Sequence, residues 1–287
     1  MKMKVGFIGL GNMGAPMARN LANADYEVLG FDLANVDVDG ITVVDSLASV
    51  TKDADIVITM LPNGDALKAV YSDIVPMLSA GTLLIDSSTV DIESSQYGHS
   101  LAEKAACLSV DAPVSGGIVG ADEGTLTFMV GGADEAVKKA SPLLDIMGAK
   151  HVHCGGSGTG QAAKICNNMI LGATMISVCE AFALGDKLNL SREKLFDVVS
   201  TSSGSCWAMN TYCPATGIGP KSPADNDYKP GFAAGLMLKD LILSQQAADS
   251  VSLSTDIGAL ARDRYRRFVD EGNGNKDFSA ILNSIPN

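Results

Sequence analysis

The amino-acid sequence predicts an α/β fold in which a doubly wound domain built on a parallel sheet is followed by an all-α domain. Three observations carry that prediction. Strand-like and helix-like patterns alternate through residues 1–160. A glycine-rich turn stands directly after the first strand-like run and opens a helical one. Beyond residue 160 strand-like runs become scarce and long helical patterns take over.

The strand-like runs fall at 5–8, 27–31, 56–60, 83–85, 108–111, 126–130 and 151–153, with helical patterns such as 13–24 and 66–71 between most of them. Such alternation means parallel β-α-β units. The run Ile56-Val57-Ile58-Thr59-Met60 is apolar almost throughout, as expected of a strand covered on both faces. The second half reads as helices at 162–187, 191–203, 232–251 and 254–271, with a short one near 277–283. The Gly/Pro-rich stretch 213–231 is the longest irregular connection. Two domains follow, 1–160 and 161–287.

The glycine turn reads Gly9-Leu10-Gly11-Asn12-Met13-Gly14, a G-x-G-x-x-G motif. Its first glycine permits the tight turn, the second lets backbone approach a pyrophosphate, and the third lets the helix pack on the strand. The helix N-terminus then offers N–H groups to phosphates. The second strand ends in Asp32, a carboxylate that can accept the ribose hydroxyls of NAD and would repel the 2′-phosphate of NADP. Leu33-Ala34-Asn35 follows, with no arginine to clamp that phosphate. A Rossmann-type domain binding NAD is the expectation. The segment 33–43 is short, and the helix expected after the second strand is stunted.

Three further segments can carry chemistry. Asp111-Ala112-Pro113-Val114-Ser115-Gly116-Gly117 follows a strand, at the sheet edge where such folds bind ligands. By spacing, Ser115, Gly116 and Gly117 form either a carboxylate-binding turn or a plain glycine turn. Lys164 and Asn168 lie four apart, on one face of an otherwise apolar helix. A buried lysine there can exchange a hydroxyl proton near neutral pH, whereas a lysine at a helix start can equally snorkel to water. Lys239-Asp240 reads, by composition, as a surface ion pair.

Composition narrows the classes. With 287 residues, 46% hydrophobic and 19% charged, the chain has enough apolar residues for a sizeable core. A net charge of -12 disfavours nucleic acid and acidic membrane surfaces as partners, but not a small anion met by local lysines. The apolar stretch 162–184 contains Lys164, Asn167, Asn168 and Glu180, which fits a buried helix better than a membrane span. Residues 1–4 lead straight into a strand, without a signal-peptide core. The six cysteines form no C-x-x-C pair, so reduced thiols in a cytosol-like compartment are expected, as in a bacterial cytosol; a mature mitochondrial form would read alike. His151 and His153 beside Cys154 read as strand-end polar residues, and no metal site is expected.

Taken together these segments resemble the β-hydroxyacid dehydrogenase family, and within it the 3-hydroxyisobutyrate branch. The stretches GFIGLGNMG at 6–14, DSST at 86–89, DAPVSGG at 111–117, GTLTFMVGG at 124–132 and GTGQAAKICNNM at 158–169 carry the likeness. SSGSCW at 202–207, GF at 231–232, KD at 239–240 and KDFS at 276–279 extend it over nearly the whole chain. The Trp207 segment and the Tyr212 loop point to the branch.

The resemblance implies an all-α domain like that of 6-phosphogluconate dehydrogenase and a role for each matching residue. Lys164 is the implied acid/base, and Asn168 orients substrate and lysine. Ser115, Gly116 and Gly117 hold the substrate carboxylate, and Trp207 and Phe232 help to close the pocket. Leu61, Pro62, Thr89, Lys239 and Asp240 join the glycine turn and Asp32 along the cofactor. The implied reaction is NAD-dependent oxidation of 3-hydroxyisobutyrate to methylmalonate semialdehyde, in valine catabolism. It needs no metal, since the lysine handles the proton and NAD takes the hydride.

Reductases of tartronate, succinic or glyoxylic semialdehyde would share Lys164. 6-Phosphogluconate dehydrogenase resembles a longer chain, and no Tyr-x-x-x-Lys of a short-chain dehydrogenase occurs. A non-catalytic nucleotide-binding module would lack the lysine. The helix at 162–187 is expected to pack centrally or at the interface of a homodimer or homotetramer.

Overall fold

The computed structural model describes residues 2–285 and divides by contact into two units, one ending at Lys164 and the next beginning at Ile165. In the first unit the chain runs β1 (Lys4–Ile8), α1 (Gly14–Asn23), β2 (Glu27–Phe31), β3 (Thr42–Val43), α2 (Leu47–Thr51), β4 (Ile56–Thr59) and α3 (Gly64–Ile74). It continues through β5 (Leu83–Asp86), α4 (Ile92–Lys104), β6 (Leu108–Asp111), β7 (Val114–Ser115), α5 (Gly117–Glu123), β8 (Leu126–Gly132), α6 (Asp134–Met147) and β9 (Gly148–Gly155).

These strands form one sheet in the order β3-β2-β1-β4-β5-β6-β8-β7, with β9 beside β8. Pairing is parallel from β3 across to β6; β8 runs antiparallel to β6 and β7, and β9 parallel to β8. The two-residue alternation of a strand explains why the sheet needs cover on both sides. Val5 and Phe7 of β1, Ile56 and Ile58 of β4, and Leu83 and Ile85 of β5 pack in one core with Met17 and Leu21 of α1 and Leu143, Leu144 and Met147 of α6. The intervening Ile8, Val57 and Leu84 pack on the opposite face with Val50 of α2, Leu67, Tyr71 and Ile74 of α3, and Ala102 of α4.

The chain leaves β1 for β2 and β3 on one side and returns to β4 on the other. The order therefore reverses between β1 and β4, and the crevice beyond their carboxyl ends is where doubly wound sheets bind ligands. The stunted connection after β2 carries no helix between Asp32 and Ile41. The two-residue strand β7 and the short helix α5 are additions that periodicity could not show, being shorter than either period needs.

The division falls within α7 (Thr159–Lys187). The second unit continues with α8 (Arg192–Val199), α9 (Trp207–Asn210), α10 (Ala234–Ser250) and α11 (Asp256–Phe268), and a 3-10 segment, Phe278–Ser284. The helix expected over 191–203 stops at Val199, where Thr201-Ser202-Ser203-Gly204 turns the chain. Its core joins Met175, Ile176, Cys179 and Phe182 of α7 to Met237 and Leu241 of α10, Ala261, Tyr265 and Phe268 of α11, and Phe278. The helix α7 has the length and apolarity to cross a membrane, but that apolar surface includes the residues just named in the unit's core.

Candidate active site

The glycine turn follows β1 at once. Gly9 adopts φ +96°, and a Cβ there would collide with the carbonyl oxygen of Met60. A Cβ on Gly14 would collide with the carbonyl oxygen of Gly9, so the start of α1 rests on the turn only because Gly14 lacks a side chain. A Cβ on Gly11 would meet nothing within 4 Å, so the backbone there is open to a ligand. Asn12 and Met13 lead into α1, whose first turn has no side-chain cap. Leu10 is buried and contributes its backbone: its N–H donates to Asp32 Oδ2 at 2.7 Å, while Asp32 Oδ1 accepts from Ala34 N at 2.8 Å. The end of β2 thus fixes a carboxylate beside the glycine turn. Missing side chains, an uncapped helix start and this acid suit a nicotinamide dinucleotide.

The next two strand ends are joined by side chains. Leu61 N, just past β4, donates to Ser88 Oγ at 2.8 Å. Ser88 Oγ in turn donates to Asp86 Oδ1 at 2.6 Å, and Thr59 Oγ1 donates to the same oxygen at 2.8 Å. Burial pushes the Asp86 carboxyl up from its ordinary 3.8 to about 6, against the hydrogen bonds of Ser88 and Thr59 that pull it down. Pro62 and Thr89 lie on these same two loops.

Helix α7 is docked onto the end of β6. The buried Asp111 carboxylate accepts from Gly158 N at 2.8 Å and Gln161 N at 2.9 Å, satisfying N–H groups at the helix start. His99 Nε2 lies 2.9 Å from Asp111 Oδ1, with Ser109 Oγ 2.7 Å from its other ring nitrogen. Lys164, only 8% exposed, sends Nζ to the carbonyl oxygen of Val114 at 2.7 Å. It is a packed lysine rather than a snorkelling one. Ser115, Gly116 and Gly117 follow Val114 directly, with Gly116 at φ +140° where β7 turns into α5. The first unit therefore gathers the glycine turn, Asp32, Leu61, Pro62, Thr89, Ser115–Gly117 and Lys164 at the carboxyl edge of one sheet.

In the second unit, Asn168 and Asp240 are both buried, and Asn168 Nδ2 donates to Asp240 Oδ2 at 2.5 Å. Asn167 Nδ2 donates to Asn168 Oδ1 at 2.9 Å. Lys239 Nζ stands 3.5 Å from Asp240 Oδ1. The pair is thus no surface ion pair, because Asp240 is buried against the amide of Asn168. Trp207 stacks on Tyr212 with ring centroids 4.8 Å apart; Tyr212 stacks on Phe278, and Phe232 meets Phe278 edge-on. The fully buried Asp277 accepts from Tyr212 OH at 2.9 Å and from Gly231 N and Phe232 N, each at 3.0 Å. His151 bonds to Asp145 and His153 to backbone carbonyls, and no group of three or more potential metal ligands occurs among the described residues.

Residues 4–156 match the sequence profile of the NAD binding domain of 6-phosphogluconate dehydrogenase, and residues 158–285 match that described as NAD-binding of NADP-dependent 3-hydroxyisobutyrate dehydrogenase. A probable 3-hydroxyisobutyrate dehydrogenase of Mycobacterium tuberculosis is 44% identical, over 98% of this chain and 97% of its own. The chain belongs to the β-hydroxyacid dehydrogenase family. It is also similar to an NAD-dependent L-serine dehydrogenase of Pseudomonas aeruginosa, 42% identical over 97% of this chain and 96% of that one. A solved structure of the M. tuberculosis 3-hydroxyisobutyrate dehydrogenase with L-serine superposes with a TM-score of 0.95 at 44% identity, covering 99% of both chains. The protein is accordingly an NAD(P)-dependent oxidoreductase acting on β-hydroxy acids, with the Rossmann-type and helical parts its sequence predicts.

Around the predicted site residues the dehydrogenase carries Asp86, Ser88, Gln161 and Asp277, to which sequence reasoning gave no role. Asp86 and Ser88 sit in the DSST stretch and Asp277 in KDFS, so position in a motif was the available signal. Gln161 likewise stands in the GTGQAAKICNNM stretch, three residues before Lys164.

Proposed function

We propose that this β-hydroxyacid dehydrogenase oxidises 3-hydroxyisobutyrate to methylmalonate semialdehyde, as valine catabolism requires, with NAD as oxidant and Lys164 as acid/base. The observation that carries the reading is Lys164 itself, buried and held 2.7 Å from the carbonyl that leads into Ser115-Gly116-Gly117. Bound NAD supplies the hydride acceptor. As the carbinol carbon gives up its hydride, neutral Lys164 takes the hydroxyl proton at Nζ, so the product leaves as an aldehyde and the lysine becomes an ammonium. The carbonyl oxygen of Val114 accepts a hydrogen bond from Nζ in either state and keeps the amine aimed.

Ser115, Gly116 and Gly117 hold the substrate carboxylate, which fixes the hydroxyl against the lysine. Asn168, one turn along α7 from Lys164, orients the hydroxyl, and Asp240 aims the Asn168 amide. Trp207 and Phe232 contact substrate, and Lys239 lies by the nicotinamide. Asp32 favours NAD over NADP because a 2′-phosphate would face its carboxylate.

L-Serine is the second reading, favoured by the Pseudomonas relative and by the ligand of the M. tuberculosis structure. It differs only in carrying an ammonium where 3-hydroxyisobutyrate carries a methyl, so the pocket wall decides. Initial rates with both enantiomers of 3-hydroxyisobutyrate, L- and D-serine and 3-hydroxypropionate, with NAD and NADP in parallel, separate the two. The expected result is selective turnover of one 3-hydroxyisobutyrate enantiomer with NAD, lost in Lys164→Ala. Faster turnover of L-serine would replace the substrate, and an active Lys164→Ala would remove the mechanism.

The same reading includes assembly as a homodimer or homotetramer. Ile170, Leu184 and Leu188, apolar and exposed near or along α7, support it. Sedimentation showing a monomer at micromolar concentration would refute it.

A further inference from the structure

We infer that Gln161 is a positioning residue for the oxidation: its buried side-chain amide ties the loop that carries Thr89 to the turn of α7 that carries Lys164. The inference rests on the roles proposed above for Lys164 and Thr89.

Gln161 is fully buried. Its Nε2 donates to the carbonyl oxygen of Ser88 at 2.7 Å, and its Oε1 accepts from Val90 N at 3.1 Å. Both neighbours of Thr89 are therefore held by one amide group, and Thr89 is fixed from either side. Ser88 Oγ also accepts from Leu61 N, so the same chain of bonds reaches the loop of Leu61 and Pro62. The two loops assigned to the cofactor are thereby joined, through Gln161, to the helix that bears the acid/base three residues later. The backbone of Gln161 is itself anchored, its N–H donating to Asp111 Oδ2 at 2.9 Å. The first turn of α7 also packs closely on the end of β6: a Cβ on Gly160 would sit 2.6 Å from the carbonyl oxygen of Asp111.

The chemistry at position 161 is specific. The site presents one acceptor and one donor, and a neutral amide meets both at once. A methionine of similar length meets neither and leaves a buried N–H and C=O unpaired. An ionised glutamate keeps the bond from Val90 N but loses the donor to Ser88 O. A protonated glutamate restores both, its hydroxyl donating and its carbonyl accepting. Hydride transfer is sensitive to small displacements of the donor carbon from the nicotinamide, and a shift of about 1 Å can cost about a hundredfold in rate.

The test uses the full-length protein with NAD and its fastest β-hydroxy acid substrate, unlabelled and deuterated at the carbinol carbon. In Gln161→Met, kcat is expected to fall about tenfold or more with a larger deuterium isotope effect, while the Kd for NAD changes by less than about threefold. In Gln161→Glu, the ratio of its kcat to that of the native protein is expected to rise several-fold as pH is lowered from about 9 to about 6, as the introduced carboxyl takes up a proton. A residue that merely supported the fold would lower thermal stability and leave the isotope effect and this ratio unmoved, which would overturn the inference. If Gln161→Met does not fold, a flat ratio in Gln161→Glu overturns it alone. Hydrogen exchange at Val90 N–H reads the tie without turnover: it should quicken at least about tenfold in Gln161→Met or, failing that protein, in Gln161→Glu at about pH 9. Unchanged exchange sinks the inference. A native protein that oxidises no β-hydroxy acid but shows the exchange effect would instead sink the proposed function.

Discussion

At the scale of single residues, the carboxylates do different work according to what surrounds them. Asp32 and Asp111 are held by backbone N–H groups, whereas Asp86 is sealed under the sheet edge with Oδ1 satisfied three times, by Thr59 Oγ1, Ser88 N and Ser88 Oγ. Its Oδ2 has no hydrogen-bond partner. Burial raises its pKa to about 6 despite those donors. The folded protein therefore holds a proton that the unfolded chain releases near 3.8, and the resulting stabilisation is complete below about pH 4 and lost as pH rises through about 6. A rise from 3.8 to about 6 corresponds to roughly 3 kcal/mol, an upper figure for one buried group. Urea unfolding across this range should show native stability declining relative to Asp86→Asn as pH increases. Parallel pH dependence in the two proteins would mean that Asp86 ionises in the fold as it does in water. The sequence shows an aspartate in a DSST stretch; it cannot show this state, because Tyr71 of α3 and Ser95 and His99 of α4, which line one small cavity with Asp86, are brought beside it only by folding.

At the scale of elements, α7 is the part on which most of the proposed chemistry depends. Its sequence announced a long apolar helix with a lysine and an asparagine one turn apart, and that much was legible because helical period and turn glycines are local signals. What docks the helix was not legible. Asp111, Gly131 and Gly160 come from three segments, and a Cβ on Gly131 would lie 2.7 Å from Gly160 N while one on Gly160 would meet both the carbonyl oxygen of Met129 and Asp111. Backbone atoms meet on both sides of that contact, so a shift of the Asp111 side chain alone would not make room. Gly160→Ala should force the first turn of α7 away from β6 and β8, costing roughly 1 to 3 kcal/mol of stability as an overpacked contact does. Because Lys164 rides on that turn, kcat should drop by about tenfold to a hundredfold, with NAD affinity nearly unchanged. Full activity in Gly160→Ala would show that the helix can shift without disturbing the lysine. The aromatic group around Asp277 was hidden for the same reason: Trp207, Tyr212, Phe232 and Phe278 are spread over 72 positions (207 to 278), and only the fold lets one buried carboxylate collect Tyr212 OH and the Gly231 and Phe232 N–H groups.

At the scale of the whole molecule, charge and function pull in opposite directions. The chain carries a net charge of -12, yet a β-hydroxy acid and NAD are both anionic. Composition made the first fact plain and correctly left room for the second, since a buried lysine acts over a few ångströms and the net field over tens. Salt distinguishes those ranges: the Debye length shrinks from about 30 Å at 0.01 M to about 8 Å at 0.15 M, so the distant acids are screened while a contact such as that made by Lys164 is not. If the overall field governs approach, kcat/KM for the hydroxy acid should rise as ionic strength is raised over that interval, with kcat at saturation unaffected. A neutral β-hydroxy ester or amide, which feels no net field, should show no such rise and serves as the control. A fall in kcat/KM would mean that positive potential local to the site outweighs the twelve net negative charges, and would direct attention to Lys239 as its source.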